Sequence, residues 1–176
     1  TQANYSGGGV CGARPLVEQG AYTLSCVYFV SDLHLGHRTI LRHTSVVGGG
    51  AFRGGSTPDE HDIWIIEQLQ NVKPNKRTLW WILGDVAMSP EKLKLLDAVA
   101  GTKRLILGNH DLFSSAEYLK HFTWLGGTIK KYGVWLSHGP VHPQELRGLN
   151  NIHGHCHHHT LRDDARYLNT SIEWLP

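Results

Sequence analysis

Asp32 with His34, Asp85, Asn109 with His110, His138, and His155 with His157 form five short polar groups along the chain. Each follows an apolar run that reads as a buried strand, as in "LILGNHD" from Leu105 to Asp111. Asp, Asn and Gly are ordinary at strand ends, so turn chemistry explains any one group alone. It does not explain five repetitions. Carboxylates, imidazoles and an amide oxygen together suit divalent first-row metals. Two such ions, about 3.5–4 Å apart, can clamp the attacking and departing oxygens of a phosphoryl displacement, and an aspartate between them offsets their repulsion.

The spacing Asp-x-His suits such a centre because alternate residues of an extended segment point to one side. Glycine before Asp85, Asn109 and His155 permits sharp turns and close backbone approach. Histidine is the compositional anomaly: there are 13, seven of them from His138 to His159, and neutral imidazole is a common metal ligand. The scattered His43, His61 and His121 read instead as solvated polar residues. Cys156, between His155 and His157, points away from the ligands in an extended segment and reads as a small buried residue.

The elements that must position these groups follow from the hydrophobic pattern. "CVYFVSD", "TLWWILGD" and "KRLILGNHD" are buried strands that each deliver polar residues at their C-terminal ends. Between the first two, Thr57, Pro58 and Glu60 make a capping box that opens a helix, with Ile63, Ile66 and Leu69 toward the core. Ser89 and Pro90 open a second helix, with Leu93, Leu96 and Val99 on one face. "SSAEYLKHF" is a short third helix. This βαβ rhythm belongs to a parallel or mixed sheet, whose ligands gather beyond the carboxyl ends of the strands. "GTIKKYGVWLSHGP", "LNNIHGH" and "ARYLNTSIEW" are shorter strands without a helix, so the fold class is α/β with two packed sheets covered by helices. Trp80, Trp81, Trp124 and Trp135 are expected in the core.

A chain of 176 residues supports one well-buried core. Residues 1–25 are Gly-rich and unpatterned and read as a loosely structured extension; residues 26–176 form the organised domain. "VVGGGAFRGGS" reads as a loop, without the Gly-Lys-Ser/Thr ending of a P-loop. Cationic side chains exceed acidic ones by two, which gives no strongly basic surface. Three cysteines at irregular spacing fit reduced thiols, with a Cys11–Cys26 bridge as the alternative. No apolar run approaches a membrane span of about 20 residues, and the first residues lack a signal-peptide pattern. A cytoplasmic location is the expectation.

In order, Asp32-Leu33-His34, Gly84-Asp85, Gly108-Asn109-His110-Asp111, His138 and Gly154-His155-Cys156-His157 resemble the calcineurin-like metallophosphoesterase family, whose pattern is D-x-H, GD, GNH followed by D or E, H, and GHxH. The resemblance spans about residues 27 to 172. It implies a four-layer αββα sandwich of two mixed sheets with a dinuclear centre at the strand ends. Asp32, His34 and His157 would hold one ion, Asn109, His138 and His155 the other, and Asp85 would bridge them. A metal-bridging water or hydroxide would attack the phosphate ester, His110 would contact the phosphate and protonate the leaving oxygen, and Asp111 would help to orient it. Two divalent ions are implied, Mn²⁺ first, with Fe, Zn²⁺ and Ni²⁺ as alternatives.

Protein Ser/Thr phosphatases of this superfamily show GDxxDRG and GNHE, whereas Val86-Ala87-Met88-Ser89 follows Asp85 here and Asp111 closes the third block. The chain is more similar to the small single-domain bacterial and phage-type phosphoesterases. A phosphomonoester of a small molecule or nucleotide is the expected substrate. Nucleic acid is not favoured, since Lys130 and Lys131 are the only basic, aromatic-flanked pair. A nuclease or cyclic-nucleotide phosphodiesterase is the alternative, and a non-catalytic metal-binding module a further one. His37, Arg38, Arg42 and Arg53 are the candidate substrate contacts, because phosphate favours cationic donors.

Overall fold

The computed structural model describes residues 16–17, 26–43, 53–159, 161 and 164–174. The N-terminal extension and the Gly-rich loop lie mostly outside these residues, as do Cys11 and the side chain of His43. Among the described residues, Cys26 and Cys156 form no disulfide.

Five strands form the first sheet, in the order β1 (Leu16–Val17), β2 (Cys26–Val30), β3 (Leu79–Ile82), β4 (Thr102–Ile106) and β5 (Trp124–Gly126). All neighbours are parallel except β1 with β2. In register, Val30 pairs with Ile82 and Ile82 with Leu105, so β2 and β3 end level and β4 runs one residue further. The second sheet runs β6 (Ile129–Lys131), β7 (Val134–Leu136), β8 (Asn150–His153) and β9 (Tyr167–Asn169), antiparallel only between β6 and β7.

Helices α1 (Ile40–His43), α2 (Pro58–Asn71), α3 (Pro90–Leu93) and α4 (Ser115–Tyr118) all belong to the first-sheet half of the chain. Val30, Ile82 and Leu105 pack with Ile65, Leu69, Leu93 and Tyr118 in a helix-facing core. Val27, Phe29, Trp81, Leu83 and Ile106 pack with Leu136 and Ile152 in a core between the sheets. Trp80 and Trp81 are buried, Trp124 and Trp135 half-buried. Each fully buried large apolar side chain stabilises the fold by about 1.5–3 kcal/mol, so both faces of the first sheet contribute.

The capping box of α2 forms as expected, but the phase of its buried face differs. Ile63 is 59 % exposed, Ile66 is half-buried, and His61, Asp62, Ile65 and Leu69 point inward. Two polar residues take core positions because they have partners there. Asp62 accepts from the Gly36 amide at 2.7 Å and pairs with Lys92 Nζ at 2.7 Å, while His61 Nε2 lies 3.1 Å from Arg53. His61 is therefore not solvated. After α3 the chain tightens into a 3₁₀ turn, Lys94–Ala98. Its three-residue period keeps Leu93, Leu96 and Val99 on one buried face.

Candidate metal centre

The loops leaving β2, β3, β4, β7 and β8 bring the five polar groups together. Backbone bonds continue the sheets into these loops: Asp32 N–H donates to Gly84 O at 3.0 Å, His34 N–H to Asp85 O at 2.9 Å, and Gly154 N–H to His138 O at 2.8 Å. Gly84, at φ +92°, is needed for packing as well as conformation. A Cβ there would lie 2.7 Å from Gly108 Cα and 2.5 Å from His138 Nδ1.

Ligand atoms of Asp32, His34 and His157 lie within 4.8 Å of one another, as do those of Asp32, Asp85 and His138. These buried Asp and His groups can hold metal ions. Asp32 is common to the two groups, and Asp85, in the second, also reaches the first, with Oδ2 3.6 Å from His34 Nε2 and Oδ1 3.5 Å from His138 Nε2. Oδ2 of Asp32 accepts from Ser31 Oγ (2.7 Å), Ser171 Oγ (2.7 Å) and the His155 amide (2.8 Å), while its buried Oδ1 has no hydrogen-bond partner. Both ring nitrogens of His34 are likewise buried without a hydrogen bond. Such orphaned groups cost free energy unless something else satisfies them.

His138 adds further donor atoms to the site. Its Nδ1 lies 2.7 Å from Leu83 O, and a carbonyl only accepts, so Nδ1 carries the proton. In the neutral ring Nε2 then turns a lone pair toward Asn109 Oδ1 at 2.9 Å, with His155 Nδ1 at 3.1 Å. Both of these atoms lie within 3.1 Å of His138 Nε2, placed so that a cation among the three would be coordinated. His157 is oriented the same way, its Nδ1 2.9 Å from Glu173 Oε1.

Electrostatics agree with this donor set. Burial, then the charge of Arg53 and the neighbouring imidazoles, push His34 far below the usual imidazole range, so it is a neutral donor. Burial raises the Asp85 pKa against a hydrogen bond from the His110 amide, and the nearby carboxylates of Asp32 and Asp111 add to the rise. Two carboxylates held this close favour a counter-cation. Burial, helped by Asp32, also raises the Cys156 thiol pKa and keeps it protonated.

The structure brings together Asp32, His34, Asp85, Asn109, His138, His155 and His157. His110 stands at the mouth, its side chain 49 % exposed and its Nε2 4.0 Å from Asp85 Oδ2. His37 packs edge-on to His34, ring centres 5.5 Å apart, and with Arg38 lines a cleft of about 570 Å³ bounded by Pro58, Asp59, Met88 and Lys92. Arg42 is exposed on α1.

Three expectations need correction. Arg53 is buried, bonded to Glu173, Asp32 O and Leu33 O, and so is turned away from any substrate. Asp111 is also buried: its carboxylate accepts from the amides of Asp85 (2.8 Å), Val86 (3.0 Å) and Gly108 (2.8 Å), so it fastens two loops and does not reach the reacting space. The Asp-x-His and His-x-His pairs are not extended, since Asp32, His34, His155 and His157 all have positive φ. The argument that strand alternation turns Cys156 away fails for the same reason.

Ser171 and Glu173 were missed. The signal was available, because β9, like β2, β3, β4, β7 and β8, has a continuation, here Thr170 to Glu173, that carries polar residues to the same end of the molecule.

The sequence matches no family model. A crystallised protein of unknown function from Aquifex aeolicus overlays with a TM-score of 0.60 and 26 % identity, covering 84 % of this chain and 90 % of that one. The nuclease MPE of Pseudomonas putida overlays more loosely, with a TM-score of 0.45 and 16 % identity over 76 % of this chain and 64 % of its own. The Gene 66 protein of Mycobacterium phage L5 is 32 % identical over 93 residues, which is 50 % of this chain and 41 % of that protein. The Gene 66 protein of Mycobacterium phage D29 is 30 % identical over 79 % of this chain and 82 % of its own length. The chain belongs to the family of these mycobacteriophage Gene 66 proteins.

Proposed function

We propose that the protein is a dinuclear-metal-dependent phosphoesterase of the calcineurin-like type, built on two packed sheets whose α-helices, among the described residues, all belong to the first-sheet half of the chain. One observation carries the reading: the two oxygens of Asp85 face two different imidazoles, Oδ2 lying 3.6 Å from His34 Nε2 and Oδ1 3.5 Å from His138 Nε2. Asp32, His34 and His157 would hold one ion and Asn109, His138 and His155 the other, with Asp85 between them and Mn²⁺ the favoured metal. When bound, such ions supply Lewis acidity to the phosphoryl group and lower the pKa of water toward neutrality.

The remaining chemistry falls to the chain's own side chains. His110, open to solvent with its amide anchored on Asp85 Oδ1 at 2.9 Å, contacts the phosphate and protonates the leaving oxygen. His37 and Arg38 in the adjoining cleft, and Arg42 beyond it, contact the rest of the substrate. A small phosphomonoester, such as a nucleotide, is favoured over a nucleic acid. Lys130 and Lys131 lie over the rings of Trp135 and Tyr132, at 4.5 and 5.2 Å, and form no cationic track. Cys26 and Cys156, which form no disulfide among the described residues, are in keeping with a cytoplasmic setting.

Hydrolysis of p-nitrophenyl phosphate and of bis(p-nitrophenyl) phosphate by the Mn²⁺-reconstituted protein tests the substrate class. The monoester is expected to turn over faster. Preference for the diester would move the assignment to a phosphodiesterase or nuclease, and activity on neither, with metal bound, to a binding module.

A further inference from the structure

The 3₁₀ turn Ile172–Trp174 meets the metal centre at several points that the site's chemistry leaves unexplained. Ser171 Oγ donates to Asp32 Oδ2, and Ile172 N–H donates to Ser31 O at 3.0 Å. Trp174 Nε1 and Asn169 Nδ2 both donate to His157 O at 2.8 Å. Glu173 is buried, with Oε1 2.9 Å from His157 Nδ1 and 2.8 Å from Arg53 Nε. Arg53 in turn donates to the carbonyls of Asp32 and Leu33.

From this arrangement we infer that Glu173 is a positioning residue for one of the two metal ions. It holds His157 with the proton on Nδ1 and presents Nε2 as the ligand atom. The inference rests on the metal-centre reading above. A carboxylate accepts and Nδ1–H donates, which fixes both the tautomer and the ring plane. Arg53 neutralises Glu173, so the carboxylate does not compete as a ligand, and it locks the same turn to the loop carrying Asp32 and His34. His138, in the other donor set, is oriented by Leu83 O and not by this turn. Loss of Glu173 should therefore weaken one ion and spare the other.

Calorimetric titration of Mn²⁺ into the chelator-stripped full chain, as wild type, Glu173→Ala and Glu173→Gln, tests this. The expected result is a drop of about 10–100-fold in affinity for one ion in Glu173→Ala, the range for losing such a support. A smaller drop is expected in Glu173→Gln, whose amide oxygen still accepts, with the second ion unchanged in both. Wild-type affinity for both ions in Glu173→Ala, or equal weakening of both, would overturn the inference. A wild type that binds no metal would overturn the metal-centre reading instead. Should the variants fail to fold, ¹H–¹⁵N spectra of the Zn²⁺-loaded wild type decide: a proton on His157 Nδ1 supports the inference, and metal on Nδ1 refutes it.

Discussion

At the scale of residues, the centre is built from conformations that side chains ordinarily avoid. Asp32, His34, Asp85, His155 and His157 have φ between 49° and 69°, and only Lys73, Tyr132 and Arg147 share that region among the other described non-glycine residues. Each such residue costs about 1–3 kcal/mol, and such strain gathers at functional sites. It persists here because the neighbouring amides are bonded from loop to loop. The division of labour is testable. Asp85→Asn should lose both metal and rate, whereas His110→Ala should keep metal and lose about 10²–10⁴-fold in kcat, the usual contribution of a general acid. Metal analysis beside kcat checks both, and metal loss in His110→Ala would refute the role given to that residue. Gly84→Ala forces a side chain into a positive-φ position against Gly108 and His138, and should destabilise by about 1–3 kcal/mol in urea unfolding.

At the scale of elements, loops set the donors and helices hold the loops. Asp62 of α2 bonds the Gly36 amide just beyond His34, and Lys92 of α3 ties to both Asp62 and Asp59. Burial pushes the Asp62 pKa up, but hydrogen bonds from His61, Lys92 and the Gly36 amide outweigh it and hold the group below the usual carboxylate range. A carboxylate with a lowered folded pKa stabilises fully above its unfolded value, about 3.9, and that stability fades as pH falls through the folded value. Asp62→Asn should therefore lose about 1–3 kcal/mol at pH 6, a deficit that shrinks on acidification. Urea midpoints from pH 6 to pH 2.5 measure it, and a deficit independent of pH would contradict the ionic account.

The strands and their polar ends were legible in the sequence because each carries its own apolar run and its own Gly-Asp, Gly-Asn or Gly-His turn. The buried face of α2 was not: its inward residues include His61 and Asp62, whose partners at Arg53, Gly36 and Lys92 are distant or outside the helix. Arg53 reads as a substrate contact for the same reason, since its partner Glu173 is 120 positions away. The donor residues followed from type and order, but their backbone geometry did not, because an Asp-x-His pair can share a face through left-handed turns as well as through strand alternation.

At the scale of the molecule, two sheets pack through Trp81, Leu83, Leu136 and Ile152 and are joined at the site by the parallel bridge between Ser31 and Ser171. The first sheet supplies Asp32, His34, Asp85, Asn109 and His110, and the second supplies His138, His155 and His157, so neither alone completes the centre. No helix among the described residues is long and apolar enough to cross a membrane. The central claim is that two ions at this junction support phosphoester hydrolysis. Its most direct test is to strip the protein with chelator and follow p-nitrophenyl phosphate and bis(p-nitrophenyl) phosphate hydrolysis while Mn²⁺ is added back. Activity should be absent in the stripped protein and should saturate at two bound equivalents per chain. Hydrolysis that survives complete removal of metal would contradict it.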